Sequence, residues 1–163
     1  ALRLLSATAQ GDKVEQKVDV GGYSLFIRCT GTGSPTVILE GPYNETSNVW
    51  RFVEPKISQF TRVCAYERAG IGNSDKRPGN AVVGVNKVND ELHTLLEKAN
   101  IPGPYVLAGW SYGGIVVNAY ARDPWITAVA ARLQTTSRRA ERRRMRIAIE
   151  FPGPPRGRPS RCP

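Results

Sequence analysis

The chain is poor in the residues that metal sites and disulfide-stapled folds need. Among 163 residues it has one histidine and three cysteines, and the cysteines are far apart in sequence. Neither a zinc-ligand pattern nor a disulfide framework is indicated, since the spacing is wrong and the cysteine count is odd. Cys29 and Cys64 fall in strand-like runs, which favours buried thiols. No apolar run approaches the roughly 20 residues that span a bilayer, so the sequence predicts a soluble protein without a transmembrane segment.

Acidic residues are scarce only towards the C-terminus. Residues 1–131 hold 13 Lys or Arg against 12 Asp or Glu, whereas residues 132–163 hold 10 Arg against 2 Glu, so nearly all of the net charge of +9 comes from this last part. The same part ends in the proline-rich run "PGPPRGRPSRCP". We therefore expect a folded core at residues 1–133 and an Arg/Pro-rich tail at 134–163 that is disordered or partly helical. An abrupt change of this kind is also typical of out-of-frame translation.

Strand-like and helix-like segments alternate along the core. The predicted strands are a hairpin at 13–33 around Gly21-Gly22 and single strands at 35–41, 61–67, 105–109 and 126–133. The predicted helices are at 47–60, which Pro55 either begins or kinks, at 85–101, with an apolar stripe, and at 111–124. The predicted stripe is Val88, Leu92, Leu95 and Leu96. Such alternation predicts an α/β fold with a mostly parallel sheet and flanking helices.

Ser111 stands in Gly109-Trp110-Ser111-Tyr112-Gly113, between a strand-like run and a helix-like run. In a G-x-S-x-G turn the small residues let strand and helix approach closely, and the serine hydroxyl is presented above the sheet edge. The helix N-terminus and the amide of the next residue stabilise negative charge nearby. The pattern therefore predicts a nucleophilic serine at Ser111.

With this turn in its context, the chain resembles the α/β-hydrolase family. Three motifs agree in their order: "GSPTVILEG", "TRVCAYERAGIGNSD" and "DELHTLLEKANIPGPYVLAGWSYGG". The resemblance covers residues 13 to about 128 and corresponds to the N-terminal half of the family's fold, truncated here and joined to the basic tail. It implies an esterase-like serine hydrolase that acts on a small-molecule ester or similar acyl bond without a cofactor or metal. The "AGIGNS" run lacks the third glycine of a dinucleotide site, and the family loop explains it better.

The resemblance also implies where the oxyanion hole lies. The amide of Tyr112 is one expected donor, and the second comes from the loop after the strand "TVILE", at Pro42 or Tyr43. Proline has no N–H, so a hole that relies on Pro42 lacks one hydrogen bond. If the loop is shifted by one residue, Tyr43 supplies the amide instead.

The chain offers no evident acid or base for Ser111. The family order is serine, acid and then histidine, but no histidine follows Ser111. His93 lies on a polar helical stripe and is expected at the surface, and Asp123 is expected to end a helix. The acid and base are therefore unassigned. We expect weak or no activity, because a serine without a base stays protonated at neutral pH.

Two alternatives remain open. In the first, the chain is a catalytically dead hydrolase-like protein or fragment whose Arg-rich tail binds nucleic acid or an anionic surface. Nucleic acid is the less favoured of these partners, since no recognised binding motif is present. In the second, another chain supplies the missing strands and histidine, and an exposed sheet edge favours self-association. "SATAQ" resembles the end of a signal peptide, so a cytoplasmic and an exported location both remain open.

Overall fold

A computed structural model describes residues 13–79, 82–122, 128–133 and 147–150. Its strands are β1 (Val14–Asp19), β2 (Ser24–Thr30), β3 (Thr36–Glu40), β4 (Val63–Tyr66), β5 (Tyr105–Trp110), β6 (Ala128–Leu133) and β7 (Ile147–Glu150). Its α-helices are α1 (Glu54–Ile57), α2 (Val85–Lys98) and α3 (Tyr112–Tyr120), and a short 3₁₀ helix (Ser47–Trp50) precedes α1. The predicted α/β class is confirmed.

The strands form one mixed sheet in the order β1-β2-β4-β3-β5-β6-β7. The four strands β4, β3, β5 and β6 are parallel, whereas β1, β2 and β7 pair antiparallel with their neighbours. Glu40, the last residue of β3, pairs with Gly109, two residues before Ser111. The segments that follow β3, β4 and β5 therefore meet at one edge of the sheet, the place where open α/β sheets bind ligands.

Apolar side chains cover both faces of this sheet. The larger core packs α2 and α3 against one face, and the buried stripe of α2 matches the predicted one: Val88, Leu92, Leu95 and Leu96. The smaller core lies on the other face and contains Leu39, Trp50, Val63 and Ala65. Successive residues of β3 serve different cores, Ile38 the larger and Leu39 the smaller, because strand side chains alternate between faces.

The predicted helix at 47–60 is wrong as a single element. The chain forms the 3₁₀ helix, a turn and then the one-turn helix α1, and Phe60 is left exposed. Pro55 explains the break, because its ring would clash with the carbonyl four residues earlier if the helix ran through it. Pro55 lies instead in the first turn of α1, where a missing N–H costs nothing.

The expectation of free buried thiols is also wrong. Cys29 and Cys64 form a disulfide whose Cα atoms are 4.1 Å apart. The two residues are direct partners in the antiparallel pair β2–β4. The sequence could not show this pairing, because β2 and β4 are not consecutive strands and β3 lies between them in the chain.

The C-terminal part differs from expectation where the structure describes it. β6 lies beside β5 as the predicted strand, but Ile147–Glu150 form β7, antiparallel to β6, in a tail expected to be disordered or partly helical. Residues 134–146 and 151–163, on which the Arg-rich tail alternatives depend, lie outside the described residues. Among the helices described, none combines the length and the apolar character needed to cross a membrane.

Candidate active site

Ser111 occupies the turn between β5 and α3. Its backbone has φ 56° and ψ −119°, a conformation that residues other than glycine avoid because the Cβ atom meets the backbone. The chain passes from β5 into α3 at this one residue, with no intervening loop. The Ser111 side chain is exposed. Its carbonyl oxygen accepts the first hydrogen bond of α3, from Gly114 N at 2.9 Å.

Two glycines allow the turn to be this tight. A Cβ atom at Gly109 would lie 2.2 Å from Gly113 O, and one at Gly113 would lie 2.3 Å from Glu40 O and 2.7 Å from Gly41 O. These neighbours are backbone atoms, which cannot move aside as a flexible side chain does. The start of α3 therefore rests directly on the end of β3. The first N–H groups of the helix, which have no acceptor within the helix, lie at the same sheet edge as Ser111.

One guanidinium binds the loop that follows β3. Arg68 donates from Nη1 to the carbonyl oxygen of Gly41 at 2.9 Å and from Nη2 to the carbonyl oxygen of Pro42. Its Cζ atom is 5.2 Å from the centroid of the Tyr112 ring. The Tyr112 ring in turn meets the ring of Tyr43 edge to face at 5.7 Å. Both expected oxyanion donors thus belong to residues that lie close to Arg68.

A buried carboxylate balances the charge of Arg68. Glu40 is 1% exposed and accepts hydrogen bonds from Arg68 Nη1 and from the Tyr66 hydroxyl. Burial raises the pKa of the Glu40 carboxyl to about 6, although the Arg68 charge and the Tyr66 hydrogen bond act in the opposite direction. Burial and the Glu40 charge raise the pKa of Tyr66 well above its ordinary value. We term these three residues the edge cluster.

A second network of the same composition joins α2 to the loop after β4, and the charge of its glutamate also acts on Tyr66 of the edge cluster. Glu91 of α2 is 2% exposed and accepts hydrogen bonds from the Tyr23 hydroxyl at 2.5 Å, from Arg77 Nε at 2.6 Å and from Arg77 Nη2 at 2.5 Å. Burial and the hydrogen bond to Glu91 raise the pKa of Tyr23 to about 12. We term these residues the flank cluster.

The loop "ERAGIGNSD" is built around the carboxylate of Glu67. That carboxylate accepts from Ser47 N at 3.1 Å, Ser47 Oγ at 2.9 Å and Asn73 N at 2.6 Å. Gly72 has a φ of 53°, and a Cβ atom there would lie 2.2 Å from Glu67 Oε2, so the loop favours glycine at this position. Ser74 Oγ donates to Glu67 O at 2.6 Å. These bonds fix the backbone from which Arg68 extends.

His93 is exposed, as expected, and lies far from Ser111. Its Nδ1 atom is 3.4 Å from the hydroxyl of Tyr120, the last residue of α3. Nine residues of helix separate Tyr120 from Ser111, a rise of about 13 Å at 1.5 Å per residue. His93 is the chain's single histidine, so no imidazole of this chain reaches Ser111. Asp123 lies outside the described residues.

The edge cluster was not predicted from the sequence. A glutamate that ends the apolar strand "TVILE" and an arginine two residues after "VCAY" were the available signals. Strand ends at the same sheet edge bring such residues together, and an unpaired buried carboxylate is costly enough that a partner was to be expected.

No family model matches the chain. Among the curated relatives, a probable transporter efuK of Hormonema carpetanum is 30% identical over 107 residues, which are 63% of this chain and 15% of that protein. An AB hydrolase superfamily protein of Gibberella zeae is 32% identical over 94 residues, 55% of this chain and 28% of the relative. A pimeloyl-[acyl-carrier protein] methyl ester esterase of Sodalis glossinidius is 26% identical over 99 residues, 61% of this chain and 35% of the relative. The chain thus spans 15% to 35% of these relatives' lengths.

Solved structures give a more uniform result. Cfl2 from Burkholderia cenocepacia superposes with a TM-score of 0.65 at 26% identity and covers 78% of this chain and 43% of its own. Epoxide Hydrolase A from Mycobacterium thermoresistibile superposes with a TM-score of 0.66 at 21% identity, and the match covers 80% of this chain and 43% of the epoxide hydrolase. The thioesterase domain from the curacin biosynthetic pathway superposes with a TM-score of 0.64 at 21% identity, and the match covers 72% of this chain and 42% of the thioesterase domain. The last two likenesses, at this identity, are likenesses of fold.

Proposed function

We propose that this chain, which has the α/β-hydrolase fold over most of its described residues, acts on an ester or similar acyl bond with Ser111 as the nucleophile. The observation that carries the proposal is the backbone of Ser111 at φ 56° and ψ −119°, with an exposed side chain between β5 and α3. Backbone strain of this kind costs of order 1–3 kcal/mol and occurs preferentially at functional sites. The methyl ester esterase among the relatives supports an ester as the substrate class.

The second oxyanion donor in this proposal is the N–H of Tyr43 and not a group of Pro42. Proline has no N–H, and the Pro42 carbonyl is engaged by Arg68. In a trans peptide the C=O and the following N–H point in opposite directions, so the N–H of Tyr43 points away from Arg68. Among the described residues, that N–H donates to no backbone acceptor. The Tyr112 N–H, at the start of α3, is the first donor.

The reaction in this proposal is acyl transfer to Ser111. The Ser111 hydroxyl oxygen attacks the acyl carbon and its proton passes to a base. The bond from the acyl carbon to the leaving oxygen then breaks, and the base returns the proton to that oxygen, which departs as the alcohol. Water then releases the acid and restores the serine. Since no imidazole of this chain reaches Ser111, we expect the attack to be slow and to accelerate when a small base is added. The whole protein's substrate and the source of acid and base are unassigned.

A fluorophosphonate probe, with and without added imidazole, tests the proposal on the full chain. We expect slow labelling at one site, a rate that rises with imidazole, and a mass shift that peptide mapping assigns to Ser111. Ser111→Ala should abolish the labelling, whereas Ser58→Ala, which removes another serine hydroxyl, and His93→Gln should be labelled like the wild type. Labelling that persists in Ser111→Ala, or a wild type that is not labelled at any imidazole concentration, contradicts the proposal.

A further inference from the structure

Arg68 is a buried cation in the loop after β4, and its hydrogen bonds go to the end of β3 and the loop that follows β3. It is 8% exposed and contacts the carboxylate of Glu40, the carbonyl oxygens of Gly41 and Pro42, and the ring of Tyr112. Glu40 lies in β3, the two carbonyls follow that strand, and the ring begins α3. The Arg68 side chain therefore links the end of β3 with the start of α3, and these two segments flank the predicted oxyanion hole.

Two of these contacts act on the groups that the proposed function uses. The bond to the Pro42 carbonyl fixes the plane of the Pro42–Tyr43 peptide, and with it the direction of the Tyr43 N–H. The contact with the ring of Tyr112 fixes the residue that carries the other donor. We propose, on the basis of the proposed function, that Arg68 is a positioning residue that holds both oxyanion donors in place for Ser111.

The planar fork of arginine suits this role. Arg68 presents Nη1 and Nη2 in a fixed geometry to neighbouring carbonyls, which the single ammonium of lysine cannot do. Glu40, held by the Tyr66 hydroxyl, supplies the negative charge that a buried guanidinium needs. The ion pair thus allows a charged guanidinium to stay buried, where it holds the loop after β3 by hydrogen bonds.

The flank cluster provides the matched control. Glu91 also accepts from one arginine and one tyrosine, but Arg77 directs Nε and Nη2 to the same carboxylate. Replacing Arg68 and Glu40 together by Met and Gln removes a buried ion pair and leaves no unpaired charge, a change that proteins often tolerate. The double variant Arg77→Met/Glu91→Gln makes the same chemical change in the flank cluster.

The experiment measures fluorophosphonate labelling of Ser111 in the full chain, with imidazole, as a maximal rate and a half-saturating probe concentration. In Arg68→Met/Glu40→Gln we expect the maximal rate to fall about tenfold to a hundredfold, as for small misplacements of catalytic groups, with the half-saturating concentration changed less than about twofold. Arg68→Lys should also be slow. The flank variant should label like the wild type. Amide hydrogen exchange of residues 41–46 should be faster in the Arg68 variants and unchanged in the flank variant.

The possible failures are distinguishable. A wild type labelled at Ser111 with an equally fast Arg68→Met/Glu40→Gln variant overturns the positioning role alone. An equal loss in the flank variant does the same, since it shows a general effect of stability. Unchanged amide exchange at residues 41–46 overturns the claim that Arg68 holds the loop. A wild type with no Ser111-dependent labelling overturns the proposed function and the positioning role with it.

Discussion

The edge cluster and the flank cluster are built from the same three residue types, but their arginines donate hydrogen bonds to different kinds of acceptor. In both, a buried glutamate accepts from an arginine and a tyrosine. Arg77 places two N–H groups on one carboxylate and ties a loop to α2, whereas Arg68 spreads its donors over a carboxylate and two backbone carbonyls. In our proposal, the two ion pairs have different roles because the remaining donors of the two arginines go to different acceptors.

The largest expected effect comes from unpairing one carboxylate at a time. Arg68→Met leaves Glu40 buried and uncompensated, and we expect a loss of about 3–5 kcal/mol in the free energy of unfolding. Arg77→Met should cost less, because the Arg77 side chain is 22% exposed and water can reach the vacated position, whereas that of Arg68 is 9% exposed. Urea unfolding of both variants measures the difference. Equal losses would show that exposure does not separate the clusters.

An intermediate effect is expected from removing the disulfide between Cys29 and Cys64, because a disulfide stabilises a fold by restricting the unfolded chain. This disulfide also joins the two clusters: it links β2, which begins next to Tyr23, with β4, which ends at Tyr66. Cys29→Ala/Cys64→Ala should lower the free energy of unfolding by about 2–4 kcal/mol. Thiol titration of the denatured chain should give one thiol before reduction and three after it. Three thiols before reduction would contradict the disulfide.

The smallest expected effect is a pH dependence that differs between the clusters. Glu40 has a pKa of about 6 in the fold against its ordinary 4.5, so the native state binds more protons than the unfolded state in that interval. The stabilisation is complete below pH 4.5 and is lost as the pH rises through 6, by about 1–2 kcal/mol. Glu40→Gln should abolish this loss.

The corresponding interval for the flank cluster is alkaline. Tyr23 has a pKa of about 12 against its ordinary 10, so its stabilisation is complete below pH 10 and is lost as the pH rises through 12. Tyr23→Phe should reduce that loss without abolishing it, because the pKa of Tyr66 is also raised in the fold, and it should leave the acidic loss intact. Urea midpoints measured across both intervals check the assignment, and a Glu40→Gln variant that retains the acidic loss would refute it.

The strands, α2 and the Ser111 turn could be predicted because local patterns determine them. The alternation along β2, the stripe at Val88 to Leu96 and the glycines around Ser111 are each visible within a short window. The disulfide and the edge cluster could not be predicted in this way. They depend on the strand order, which makes Cys29 a neighbour of Cys64 and brings Glu40 to Arg68 although the chain does not pair these strands in sequence order.

The choice of the second oxyanion donor shows the same limit. From sequence, Pro42 and Tyr43 were both open. The proposed choice of Tyr43 rests on the direction of the Pro42–Tyr43 peptide plane, which follows from the hydrogen bond between the Pro42 carbonyl and Arg68, 26 residues away in the chain. The break of the helix at 47–60 was one of the alternatives open from sequence, since Pro55 either begins or kinks a helix, and Pro55 lies in the first turn of α1.

The contact of Gly113 with the end of β3 has a consequence for anyone who wishes to install a complete catalytic apparatus. Because backbone fills the space beneath the first turn of α3, leaving no room for a methyl group, an engineered imidazole cannot approach the serine from below. The imidazole has to approach Ser111 from the solvent side of the sheet edge, where the side chains of Tyr43 and Ile115 are exposed. A grafted loop or a separate peptide that approaches from that side is the route by which a general base can be supplied to Ser111.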